Sequence, residues 1–428
     1  MKSKITILSY PETVLPPRSE AALFPSLGSD VYVDAPVTKS LFEVEVPESG
    51  YNRFTLVYSS SCAIWGRIDF SDGLGEDFFL EKGENVTFRS LIEDFAHGRV
   101  LTGDATVILT PRESGAVFSV SAIEVSHLTE DVKESTFFFE SERYKVGVEL
   151  AWGGGLSYLE DKKCPDKELH NMLNNFDTGR LIQQSYYGTN EPPYELGSFM
   201  GNPWHYNPVQ GGDKINKKSK LVDFEIRENG IYIKCRPRDW GHKGEYTFSY
   251  MENFYCIEGD VIRVDNRFTD YSGYHHPPCH QELPAFYTVS KLGRYYYYDG
   301  DKPWQGQPLV QRDDLFFWAQ DPNFHTFPVR EGNTECWSAF VTEENYGIGL
   351  FTPASSILHA GRYKYNGSTD PKGESTNYIA PLCTFTLKCY QPFAYSYLLT
   401  AGTIDEIRAN FTAHKDEIDN STIAAYGN

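Results

Sequence analysis

Two stretches hold most of the groups in this chain that could do chemistry. The first, Asn174-Asn175-Phe176-Asp177-Thr178-Gly179-Arg180-Leu181-Ile182-Gln183-Gln184-Ser185-Tyr186-Tyr187-Gly188, gathers a carboxylate, a guanidinium, amides and phenols; the second is His280-Gln281-Glu282-Leu283-Pro284-Ala285. Both sit where the surrounding alternation reads as strand, so their polar atoms are expected to face a cleft. On a strand, residues two apart share a face, which puts His280 and Glu282 together as an acid/base couple while Gln281 and Leu283 point away. The same rule sets Asp177, Leu181, Gln183, Ser185 and Tyr187 against Thr178, Arg180, Ile182, Gln184 and Tyr186. Either face is too polar for an ordinary core.

Groups of this kind bind and cut sugars. Glycosidic hydrolysis needs two carboxyls about 5–10 Å apart, one of them protonated. Glu282 and Asp177 are the expected pair, His280 and Tyr187 further catalytic candidates, and Glu335 a reserve carboxylate. Arg180 would clamp a carboxylate or hydroxyl, with Gln183, Gln184 and Tyr186 beside it. The loops 202–213 and 295–304 add Trp204, His205, Gln210 and Trp304, whose rings and planar polar groups suit sugar faces and hydroxyls. A lyase or epimerase would instead use Tyr187, His280 and Arg180, and a non-catalytic sugar-binding protein would use the same aromatics with no proton donor. Plainer readings stand beside these: a salt bridge from Glu282 to a buried arginine, a structural Asp177–Arg180 pair, and core or turn histidines. His275, His276, Cys279 and His280 are good zinc ligands, but Pro277 and Pro278 interrupt them and no second cluster follows, so neither metal nor cofactor is expected.

The wider sequence limits the alternatives. A formal net charge of -20 opposes nucleic acid and anionic membranes, and the only basic cluster is Lys217, Lys218 and Lys220. The start of the chain has no long apolar segment before a small-residue cleavage site, so a cytoplasmic protein with no membrane contact is expected. Eight scattered cysteines without a CxxC pair read as reduced thiols. A homo-oligomer is compatible with the sequence. Gly153-Gly154-Gly155 lacks the lysine and helix of a phosphate loop and reads as a corner entering a strand.

The elements that must position these groups are nearly all strands. Aromatics make 15% of the chain, through 29 Tyr and 28 Phe, and favour β architecture. Residues 1–35, rich in proline, read as an extended arm. Phe42 to Val46 and Arg53 to Tyr58 alternate around a turn at 47–50 and read as a hairpin, opening a β-sandwich over 1–130. The run "VPESGYNRF" with its flanking strands resembles the opening of jelly-roll carbohydrate-binding modules. After an acidic linker near 127–135, a second domain spans 135–428. There, "GGGLSYLED" followed by "LNNFDTGRLIQQSYYG" resembles the start of the galactose-mutarotase-like β-supersandwich. That resemblance covers roughly residues 136–400 and implies an all-β fold with a carbohydrate substrate, in a superfamily of epimerases, polysaccharide lyases and glycoside hydrolase domains whose epimerases use a His and a Glu as acid and base. Thr403 and Glu406 form a capping box, and Ile404, Ile407 and Phe411 share one face of a C-terminal helix reaching to about Ile418.

Overall fold

A computed structural model describes residues 2–9, 38–46, 52–71, 75–91, 103–113, 115–128, 136–315, 326–328, 335–418, 423 and 426. The architecture is all-β, as the strand-period pattern and the resemblance imply. Most of the arm and of the linker lies outside the described residues. The arm's first part, however, is regular: Lys2–Ser9 alternates exposed and buried residues and is an internal strand, antiparallel to Thr38–Glu45 and parallel to Ala105–Pro111.

The expected hairpin at residues 42–58 does not form. Thr38–Glu45 belongs to a five-stranded sheet, whereas Asn52–Ser60 is the central strand of a three-stranded sheet with Gly83–Leu91 and Phe118–His127. Both runs alternate because each covers one side of a sandwich, and alternation does not reveal which neighbour a strand bonds to. The sandwich is fused to the rest of the chain. Trp65 stacks on Phe248 and Phe79 on Tyr271, the Trp65 indole N–H donates to the Tyr271 carbonyl (3.1 Å), and Arg53 and Arg89 both bind Asp223. One hydrophobic core is continuous through both parts.

Residues from 136 onward build two large sheets. The nine-stranded sheet holds the long hairpins Ser249–Glu258/Val261–Asp270 and Trp337–Val341/Tyr346–Phe351. The seven-stranded sheet runs, in order, through Arg238–Asp239, Pro208–Val209, Gln183–Ser185, Cys279–Val289, Thr376–Phe385, Ile357–Tyr363 and Thr326–Pro328. Rings fill the space between the two sheets, Tyr186 meeting Phe268 at 4.6 Å and Phe393 at 5.0 Å.

The helix Ile404–His414 carries the full capping box and buries Ile404, Ile407 and Phe411, ending a turn before Ile418. All eight cysteines are free. No described helix is long and apolar enough to cross a membrane.

Candidate functional site

A cleft of about 680 Å³ lies over one face of the seven-stranded sheet, within the range of roughly 300–1,000 Å³ found for small-molecule sites. Its floor is built from alternate residues of adjacent strands: Gln183, Ser185 and Tyr187, then His280 and Glu282, then Thr376, Tyr378 and Leu382. The strand Cys279–Val289 changes parity between them. Its register with Thr376–Phe385 shifts between Glu282 and Phe286, so Ala285 and Tyr287 join His280 and Glu282 on the cleft side. A bulge re-aims side chains in this way because an extra residue on one strand reverses the alternation beyond it. Among the described residues, none that lines the cleft comes from the N-terminal sandwich.

Glu282 is the most unusual group in the cleft. It is 8% exposed, and among the described residues no lysine, arginine or histidine forms an ion pair with it. Hydroxyls surround it instead: Tyr378 donates a short hydrogen bond to its Oε1, and the Ser185 and Tyr187 hydroxyls reach the same carboxyl. Burial pushes its pKa above the ordinary carboxyl value, and these three hydrogen bonds offset only part of that rise. A carboxyl so placed holds its proton to higher pH than an exposed one does. The salt bridge to a buried arginine weighed for Glu282 is therefore absent.

Arg180 pairs with Asp177 instead (3.5 Å). The two sit in a turn, not a strand, closed by the Arg180 N–H donating to the Asp177 carbonyl (3.0 Å). Strand alternation would have put them on opposite faces; the turn brings both into the cleft. The Gly179 N–H binds Asp177 Oδ1 (3.0 Å), and Arg180 donates to the Glu374 carbonyl and lies over the rings of Phe176 and Tyr363. Burial raises the Asp177 carboxyl, and Arg180 opposes that rise. Both carboxylates and Arg180 act electrostatically on the Tyr287 phenol.

Backbone contacts fix the floor. Gln281 points away from the cleft and grips Tyr187, accepting from its N–H (2.8 Å) and donating to its carbonyl (2.9 Å). Gln183 reaches the cleft, but its amide is spent on the Thr178 carbonyl and the Gly211 N–H. His280 is exposed and bonds Thr384 (2.7 Å).

The aromatic wall comes from the hairpin Gly197–Phe199/Asn202–Trp204 together with Trp240, and Phe199 meets the edges of both Trp204 and Trp240. The turn holding Asp177 is keyed to this wall. A Cβ at Gly179 would come within 2.6 Å of the Trp240 ring. Gly179→Ala is expected to displace the Trp240 ring and so shift the intrinsic tryptophan emission of the folded protein; an emission spectrum unchanged from the original would show that the ring has not moved.

Five expected site residues lie elsewhere. Gln184, Tyr186 and Gln210 face the core between the sheets, where the Tyr186 hydroxyl donates to Gln184 (2.8 Å) and Gln210 donates to the Gly153 carbonyl and Asn253. Trp304 packs edge-on to Phe351 beneath the terminal helix, and Glu335 there binds Arg408, the Trp337 indole and the Trp304 N–H. These polar groups are internal fasteners. His205 stacks behind Trp204 (4.8 Å) and edge-on to Tyr187 (5.1 Å), and burial lowers its pKa.

Of the zinc-type residues, His276 joins Asp270 and Cys389 in a buried cluster with atoms within 4.8 Å of one another. The Thr189 N–H donates to His276 Nδ1 (3.0 Å), so the neutral ring carries its proton on Nε2, facing Asp270 (3.3 Å). That leaves no ring lone pair for a metal. Asp270 also accepts from Tyr206 (2.8 Å), Ser272 and Cys389 (2.9 Å), which makes the cluster a satisfied structural node.

Tyr378, Tyr287, His359 and Trp240 were not foreseen. Tyr378 lies far along the chain from Glu282, and Tyr287 is on the wrong parity until the bulge is known.

No protein-family model and no curated protein matches this chain. Among solved structures, it is similar to a putative aldose 1-epimerase from Escherichia coli K12, with 11% identity and a TM-score of 0.39 over 63% of this chain and 99% of that one. A galactose mutarotase related enzyme from Lactobacillus acidophilus gives 12%, 0.38, and 62% and 97%. A GH36 α-galactosidase from Geobacillus stearothermophilus gives 11%, 0.38, and 66% and 42%. At such identities the chemistry of the site has to be read from its own geometry.

Proposed function

We propose that this protein is a carbohydrate-active enzyme that cleaves a glycosidic bond, with Glu282 as general acid. The observation that carries the reading is a buried carboxyl that, among the described residues, is hydrogen-bonded by hydroxyls and paired with no cation, opening into an aromatic-walled cleft. Glu282 passes its proton to the glycosidic oxygen as the bond to the anomeric carbon breaks, and water adds to that carbon as Asp177 takes up its proton. A uronate lyase is less well supported, because Arg180 is already neutralised by Asp177. Sugar 1-epimerisation is the second reading, favoured by His280 and His359 lining the same cleft as Glu282. An oligosaccharide substrate and a cytoplasmic setting belong to the same proposal.

Three assays on one preparation separate these reactions: reducing-end release from oligosaccharides, mutarotation of free aldoses, and unsaturated-uronate absorbance. Activity in none of them, or activity that survives loss of Glu282, would sink the proposal. Tyr378→Phe adds a test through pH. The Tyr378 hydroxyl stabilises the carboxylate, so its removal is expected to move the alkaline limb of kcat/KM to higher pH. An unmoved limb would count against Glu282 as the acid.

A further inference from the structure

We infer that the wall formed by Phe199, Trp204 and Trp240 is a second sugar subsite, so that the substrate is a disaccharide or longer chain and not a free monosaccharide. The inference rests on the reading of the cleft as a carbohydrate site. The cleft has two chemically distinct sides. One is the polar floor around Glu282, with Tyr187, Tyr378 and Ser185; the other is the wall, where three rings lie in edge contact, Phe199 to Trp204 at 5.1 Å and Phe199 to Trp240 at 5.5 Å. At about 680 Å³ the cleft is in the size range of sites for drug-sized ligands, larger than one sugar ring.

The wall is mixed, not purely apolar. Asn202 belongs to the hairpin that carries Phe199 and Trp204, Lys214 and Asn216 line the same cleft, and the Lys214 ammonium has no ion pair among the described residues. Rings for C–H faces beside amide and ammonium donors for hydroxyls match a sugar ring better than a lipid or an aromatic aglycone.

The wall is also held rigid, as a binding subsite must be. Gly197 and Gly241 lie back to back, so that a Cβ at Gly197 would meet the Gly241 backbone at 2.7 Å, and the Ser198 N–H donates to the Gly241 carbonyl (3.0 Å). The Trp204 indole N–H is fixed on Asn207 (3.1 Å), whose amide in turn holds the Tyr186 carbonyl (2.7 Å). Trp204 is thereby braced to the strand that carries Ser185.

The test is binding in a Glu282→Gln background, read by tryptophan fluorescence and calorimetry. The probes are galactose and glucose against lactose, melibiose, maltose and cellobiose. At least one disaccharide should bind about tenfold tighter than either monosaccharide, and adding Trp240→Ala should erase the difference while Trp240→Phe restores most of it. Monosaccharides bound as tightly as every disaccharide, or a disaccharide advantage that survives Trp240→Ala, overturns the subsite and leaves the role of Glu282 standing. A panel in which nothing binds overturns both.

Discussion

Glu282→Gln is expected to lower kcat by about 10²- to 10⁴-fold while leaving sugar binding within a few-fold of the original. The substitution keeps the shape of the side chain and its hydrogen bonds to Tyr378, Ser185 and Tyr187, and removes only the ionisable proton. Stability should move in the opposite direction. The folded-state pKa of Glu282 is raised by burial, so the folded protein holds that proton more tightly than the unfolded chain does. The wild type therefore loses stability as pH rises from the ordinary value of 4.5 through the folded value, and a glutamine loses none. The melting temperature of the variant should match the wild type at pH below 4.5 and exceed it at neutral pH. A structural carboxylate holding a cation would behave in the reverse way, losing stability at neutral pH on substitution. Because Arg180 is paired with Asp177, that alternative has no obvious cation to invoke. Unchanged kcat in a stable variant would remove Glu282 from the mechanism and leave Asp177 and Tyr187 as candidates.

What could be read in advance follows from the kind of physics each residue obeys. Period two is a local property, so the division of Gln183, Ser185 and Tyr187 from Gln184 and Tyr186 was legible, as was the shared face of His280 and Glu282. The capping box at Thr403 is likewise local and formed as expected. Alternation fails where the backbone departs from a regular strand. Asp177 and Arg180 are in a turn, and the shift after Glu282 recruits Tyr287 to a face it would otherwise avoid. Pairing between distant strands is less legible still. Tyr378 reaches Glu282 only because Thr376–Phe385 is the neighbouring strand, and Thr38–Glu45 separates from Asn52–Ser60 because each bonds elsewhere. Polar character alone also misled: Gln210 and Glu335 are as polar as cleft residues, yet their partners lie within the fold.

Glu335→Gln should produce the largest loss of stability, about 3–5 kcal/mol, with kcat per folded molecule unchanged. Glu335 is fully buried and receives Arg408 from the terminal helix through Nε (3.0 Å) and Nη2, while also accepting the Trp337 indole N–H and the Trp304 N–H, both at 2.8 Å. The glutamine keeps one acceptor oxygen, but it turns an N–H donor toward donors and leaves the Arg408 guanidinium without its counter-charge in a largely buried site. The helix should loosen first, since Arg408 lies on it and its other bond is to the Gln307 carbonyl (2.5 Å). Hydrogen exchange should therefore rise in Ile404–His414 before it rises in the sheets. Removing both charges at once, as Glu335→Leu with Arg408→Met, should cost less than Glu335→Leu alone, because no unpaired ion remains. If Glu335→Gln instead keeps its melting temperature and loses turnover, Glu335 belongs to the chemistry, and the separation drawn between the cleft and this buried ion pair fails.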